Sequence, residues 1–440
     1  MSQTLEGILL SCSQHGFADA LGAFRAKMLA TARLAGPDSE QNKKVVGILR
    51  DIAEHGDAKL AEFTEKFDRV RLSASEFLVS AREIEAAHAS IDSTLLESIR
   101  KAIANVREYQ QRIFSGEDSR AGSTGIRYTP IRRVGVCIPG AAAPLPSTVI
   151  MTAVPAQVAG VKEIVVVSPP RFEGGIHPVI LAVCCELGLT EVYRVGGAQA
   201  VAALAFGTET IGKVDMIVGP GNMWVQAAKK HVAGDYVAID SVAGPSEVLI
   251  VANEQANPAW IAADMLSQAE HGIDSSAIVV TDSEQTAEAI LASLDTQQRQ
   301  LGRGEETLKS LLEFSRIVVV ESMEQAIELA DEFATEHLEI QCGDRSREIA
   351  AQITNAGAIF IGPYTPVAVG DYLAGPSHTL PTGSRAKFSS ALTSNDFVKS
   401  ISVVEYTKEQ LARGAEDIIR LAEIEGLDAH ANSVRIRQKD

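Results

Sequence analysis

Apolar positions along the chain follow two spacings, and the change from one to the other divides it. Leu5, Ile8 and Leu9, then Phe17, Leu21 and Phe24, recur at helical intervals until a polar break at 36–41, so residues 1–30 are expected to form a small helical appendage. The spacing resumes at Lys43. VVGILRDIAEHG closes on Gly56, a residue suited to a helix end, and 58–67 and two stretches within 81–109 are amphipathic as well. From Val134 the texture changes to short β-branched runs. VGVCI (134–138), EIVVVS (163–168), EVYRV (191–195), DMIV (215–218) and EVLIV (247–251) read as strands, followed by AIVVT, RIVVV, LEIQ and AIFIG (358–362). Helical stretches separate nearly all of them, and that alternation predicts an α/β architecture with largely parallel sheets.

Nine or so strands overfill one sheet and predict two Rossmann-like α/β domains with parallel-rich sheets, plus small helical segments at the N- and C-terminal ends. We expect one domain at 137–247, built from the earlier runs. A discontinuous one at 31–136 plus 248–392 would combine the later strands with the helices before 134. Regular patterning lapses at 366–390, PVAVGDYLAGPSHTLPTGSRAKFSS, and a loop of this length carrying Asp, His, Arg and aromatic side chains favours function. Residues 393–440 make a tail with little core of its own, expected to dock on something.

Charge and cysteines narrow the class. A net charge of −17 over 440 residues argues against nucleic acid or an anionic membrane surface as the main partner, since either needs a positive face. Cys12, Cys137, Cys184, Cys185 and Cys342 are an odd number without CxxC spacing, so neither a disulfide framework nor a thiolate zinc site follows, and a reducing cytoplasm fits. The first twenty residues have no basic start, and no apolar run approaches the roughly 20 residues that span a bilayer.

Several groups can carry chemistry. Gln268 and His271, three apart at the end of a helix that Gly272 stops, share one face; they read either as half of a metal site or as a helix cap with a solvated imidazole. Asp371 would add an anionic ligand and His430 a second imidazole, and Gln, His, Asp and His together make a plausible zinc shell with room for substrate. Adjacent Glu336 and His337 can serve as two general bases if both reach one cleft, although they sit where a helix feeds a strand, the side of an α/β sheet opposite the usual crevice. Neither GxGxxG nor GxxxxGK[ST] occurs. The turns IPGAAAPLPST (138–148) and VGPGNMWV (218–225) can still present backbone N–H groups to a pyrophosphate, or be plain strand-to-helix turns. VGGAQAVAALAFG (195–207) reads as a close-packed helix with Gln199 its one obvious hydrogen-bonding side chain.

From about Lys43 to Arg437 the chain resembles the histidinol dehydrogenase family, through the ordered blocks RVGVCIPG, VGGAQAVAALAFGTE, VGPGN, AGPSEVLI, LSQAEHG, TEHL, GDYLAGPSHTLPTG and EGLDAH. The resemblance implies oxidation of L-histidinol through the aldehyde to L-histidine with two NAD and one zinc ion per site. Position by position it implies Gln268, His271, Asp371 and His430 as zinc ligands, and Glu336 and His337 as the acid/base pair. Substrate would meet Ser246, His378 and Glu425 besides His337 and the zinc ligands, and NAD would meet Gln199 and Asn222. It further implies a homodimer whose C-terminal tail crosses to the partner, bringing Glu425 and His430 to the other site. Cys137 stands where members often have Tyr against the cofactor, and Val367 where some have a Glu near the substrate. Two rivals are a zinc and NAD dehydrogenase of another alcohol, and a zinc hydrolase in which Glu336 activates water and no nucleotide binds.

Overall fold

The β-branched runs assemble into three sheets in a computed structural model that describes residues 5–33, 36, 38–140, 144–301 and 304–439. In chain order the strands are β1 (Leu9–Ser11), β2 (Ser119–Ala121), β3 (Thr124–Pro130), β4 (Arg133–Cys137), β5 (Glu163–Val167), β6 (Glu191–Tyr193), β7 (Met216–Val218) and β8 (Ala238–Ile239), then β9 (Glu247–Ala252), β10 (Ser276–Thr281), β11 (Arg316–Val319), β12 (His337–Gln341), β13 (Ala358–Ile361) and β14 (Val398–Val404). The chain divides into two units, one of Met1–Phe114 with Ile131–Phe397 and one of Ser115–Pro130 with Val398–Asp440.

The larger unit holds two all-parallel sheets. One has the order β6-β5-β4-β7-β8, and the other the order β1-β11-β10-β9-β12-β13. The α/β, parallel-rich expectation is therefore met. A strand buried on both faces has no polar side to show, so its sequence runs continuously apolar. Val248, Ile250 and Ala252 of β9 join Ala277 and Val279 of β10 on one face, while Leu249 and Val251 join Ile278 and Val280 on the other. The alternation persists in β12, but there it is polar: Leu338 and Ile340 enter the second cluster, and His337, Glu339 and Gln341 point the other way, all buried.

Two boundaries differ from the sequence reading. The helices before 134 pack on the five-stranded sheet and not beside the later strands: Glu40–Asp68 lies on Gly197–Phe206, Ala81–Ser90 on Pro178–Glu186, and Ser93–Ile113 on Pro146–Val158. The physical reason is that the helix Gly197–Phe206 is apolar almost all round, so an outer layer must cover it, and Val45, Ile48, Leu49, Ile52 and Leu60 do so. The start of the chain is no appendage either. β1 pairs with β11 at the sheet edge, and Phe24 and Met28 of the helix Phe17–Ala32 are buried in the core of the six-stranded sheet.

In the smaller unit β14 and β2 flank β3, all antiparallel. The tail expected at 393–440 thus holds a strand as well as helices and shares its sheet with 119–130. Its helices Lys408–Ile424 and Asp428–Ile436 pack on each other and leave Ile418, Leu421, Ile424 and Leu427 exposed. Among the described residues no helix is long and apolar enough to cross a membrane.

Candidate active site

Within the larger unit a cavity of about 730 Å³ is bounded by residues at the carboxyl ends of the five-stranded sheet, Cys137, Val167 and Gly219, and by residues just before strands of the six-stranded sheet, Ser246, Ser275 and Glu336. In the first sheet the strand order reverses at β4, where a crevice opens at the carboxyl ends. The second sheet contributes its opposite edge. Glu336 therefore faces a cleft after all, and the positional argument for a purely structural role fails because it considered one sheet alone.

Helix Met323–Phe333 ends on Ala334 in the left-handed conformation, and two residues later the chain enters β12 with Glu336 and His337 both buried. Their anchor is the neighbouring strand. Glu247 N–H donates to Glu336 Oε2 at 3.0 Å, and His337 Nδ1 lies 3.0 Å from the Glu247 carbonyl. A carbonyl only accepts, so Nδ1 carries the proton and Nε2 presents its lone pair, buried and without a protein partner. Burial pushes the His337 pKa down to about 3; the Glu247 carbonyl opposes the shift, while His271 and His378 add to it. Burial pushes Glu336 well above the usual carboxylate range, against the Glu247 N–H and with help from the carboxylates of Glu247 and Asp371. Ser246 hydrogen-bonds Glu336. His337 Nδ1 and Glu336 Oε2 lie 3.7 Å apart, and burial disfavours the charged form of each.

Two more imidazoles are held in the same way. His271 Nδ1 donates to the Ser267 carbonyl at 2.9 Å, and His378 Nδ1 to the Asp371 carbonyl at 3.2 Å, so each keeps Nε2 free. His271 and His378 both line the cavity. Burial lowers His378 to about 4. Asp371 Oδ1 lies 3.9 Å from His337 Nε2; burial raises this carboxyl to about 6 and His271 opposes the shift. Gln268, in the last turn of Pro258–Ala269, is 1% exposed, and neither its amide oxygen nor its nitrogen has a partner. Such an amide calls for something to satisfy it. Among the described residues no three His, Cys, Asp or Glu side chains are grouped to hold a metal ion. The buried, unpaired amide oxygen of Gln268 is chemically fit to serve as a neutral ligand to a cation.

The opposite wall is made of backbone. Gly219 has φ 106, and a Cβ there would meet the Cys137 carbonyl oxygen at 2.4 Å. Its N–H donates to Asp240 at 2.7 Å and its carbonyl accepts from Lys229 Nζ at 2.9 Å; Lys229 and Asp240 are themselves a buried pair. This fixes the 218–225 turn, in which Asn222 caps the helix Met223–Val232. Asn222 also lines a second cavity of about 580 Å³ together with Gln199, Phe63, Phe67 and Lys66. Part of the other glycine-rich turn, 141–143, lies outside the described residues. Cys137 lines the first cavity, whereas Val367 packs its side chain into the core.

Glu425 and His430 belong to the smaller unit, where both are exposed. Sequence reasoning missed Glu247, whose backbone holds both Glu336 and His337. It also missed Asp264 and Glu339, a hydrogen-bonded acid pair behind the site. The signal for Glu339 was present: HLEIQ puts polar residues at alternate positions in a strand whose neighbours are apolar but for Glu247 at the start of β9.

Comparison with known proteins agrees along nearly the whole length. The sequence profile described as histidinol dehydrogenase matches residues 32–438. Histidinol dehydrogenase of Thermosynechococcus vestitus is 46% identical over 407 residues, covering 92% of this chain and 94% of that protein. That of Bacillus subtilis is 44% identical over 404 residues, with 91% and 94% covered. The crystal structure of histidinol dehydrogenase from Elizabethkingia anophelis superimposes with a TM-score of 0.89 at 35% identity, covering 98% of each chain.

Proposed function

Because the chain belongs to the histidinol dehydrogenase family, a family of oxidoreductases, we propose that it oxidises L-histidinol through L-histidinaldehyde to L-histidine in the last steps of histidine biosynthesis, using two NAD and one zinc ion per site. The observation that carries this reading is His337, an imidazole fixed by its Nδ1–H with a free, buried Nε2. An alcohol carbon gives up hydride readily only as its oxygen loses a proton, and a base in hydrogen-bond reach must take it. Zinc would be held by Gln268, His271, Asp371 and His430, and when bound it supplies a fixed positive charge that orients the nitrogen donors of the substrate. NAD would lie along Asn222 and Gln199.

The residues divide the work. His337 Nε2 takes the alcohol proton as hydride leaves for NAD. Glu336, as its carboxylate, accepts a proton from the water that adds to the aldehyde and passes it to solvent, while protonated His337 returns its proton to the former aldehyde oxygen; the hydrate then loses a second hydride to the second NAD as His337, neutral again, takes a hydroxyl proton. Ser246, His378 and Glu425 face the substrate, and enclosure in the cavity keeps the aldehyde from escaping.

We also read the enzyme as a cytoplasmic homodimer. The exposed Ile418, Leu421, Ile424 and Leu427 flank Glu425, and an apolar face of this kind supports docking on a second copy, whose site Glu425 and His430 would complete. The five free cysteines suit a reducing compartment. The test is NADH absorbance with zinc-loaded protein and L-histidinol. Two NADH per histidinol, lost in His337→Asn, are expected; zinc and NAD binding without NADH formation would sink histidinol as the substrate, and a hydrolase would form none with any alcohol.

A further inference from the structure

β12 is buried on both faces, yet its third residue is Glu339, 0% exposed and set among Val367, Phe360 and the apolar side chains of Pro258–Ala269. A lone carboxylate there would be very costly, so its partners matter. Two helices supply them, beside Gln341 Nε2 on its own strand, which donates to Glu339 Oε2 at 3.4 Å. Val367 N–H, at the start of the helix Val367–Tyr372, donates to Glu339 Oε1 at 3.0 Å. Asp264, on the helix Pro258–Ala269, hydrogen-bonds the Glu339 carboxyl, and two carboxyls can do so only by sharing a proton. Glu339 itself stands on the same face of β12 as His337, two residues on. The three elements joined are those that carry Asp371, Gln268 and His337. The contact is close elsewhere too: a Cβ at Gly370 would come within 2.7 Å of Phe360 Cε1, so the short helix has no slack against β13.

We propose that Glu339, hydrogen-bonded at once to Asp264 and to Val367 N–H, is a positioning residue that holds Gln268, Asp371 and His337 in register with one another. It touches neither substrate nor metal. This rests on the zinc reading of the preceding section, because the register matters most for side chains that must converge on one ion. Partners behind a metal's ligands commonly change affinity by roughly 10- to 100-fold.

The test is zinc affinity by chelator competition, with the KM values for histidinol and NAD measured alongside. Glu339→Leu strands the Val367 N–H and the Asp264 carboxyl. It should weaken zinc by roughly 10- to 100-fold and raise the histidinol KM while the NAD KM stays put. Glu339→Gln keeps an acceptor for Val367 and a donor for Asp264, and should restore zinc affinity to near the parent value. If Glu339→Leu does not fold, Asp264→Ala gives the same direction at smaller size. Parent-like zinc affinity in a folded truncation, with only thermal stability lowered, would overturn the positioning role alone. A parent protein that binds no zinc would overturn both this role and the reading under it.

Discussion

β9 and β12 lie side by side in one sheet, equally buried, and differ in what they bury. β9 is apolar after its first residue, whereas β12 alternates His337, Glu339 and Gln341 with Leu338 and Ile340. The first is what a parallel sheet between two layers requires. The second costs desolvation at every other position, and each polar group is matched to a partner: His337 to the Glu247 carbonyl, Glu339 to Val367 and Asp264, Gln341 to Glu339. Stability is made on β9 and given up on β12, where the candidate chemistry begins.

Breaking each strand should therefore give opposite results. His337→Asn should lower turnover by roughly 100- to 10,000-fold with little loss of fold, measured as NADH formation beside a thermal melt. Leu249→Ala, which empties a fully buried site on β9, should cost about 2–5 kcal/mol in denaturant unfolding while the folded fraction keeps its kcat. Glu336→Gln sharpens the contrast through pH. Glu336 has a folded pKa above its unfolded one, so the fold holds its proton more tightly, and this stability is full below 4.5 and lost as pH rises through the folded value. The amide needs no proton to stay neutral, so its melting temperature should gain on the parent's at about pH 7 and match it at about pH 4. The smallest effect concerns His337, whose folded pKa is lowered to about 3. As pH falls from 6.5 the unfolded chain takes up a proton that the buried ring refuses, so the parent loses stability toward acid more steeply than His337→Asn.

Much of this was legible in the residues, for reasons that can be separated. The strands from 134 on were readable because burial on both faces leaves unbroken β-branched runs. β1 was not, because three residues carry no period. The helices at 40–113 showed amphipathic stripes, but a stripe says that a face is covered and not by which sheet. Glu336 and His337 were readable as chemistry from their side chains, while their placement was not, since the cavity takes the carboxyl edge of one sheet and the amino edge of another. Glu247 left no sequence trace because it works through its backbone.

The central claim is that the neighbours at the start of β12 have separate tasks, His337 taking protons in both hydride steps and Glu336 serving the water that comes between them. A single turnover of Glu336→Gln with zinc and L-histidinol, read as NADH per site, tests it most directly. The account predicts one NADH formed promptly and the second severely slowed. Two NADH at the parent rate would contradict it.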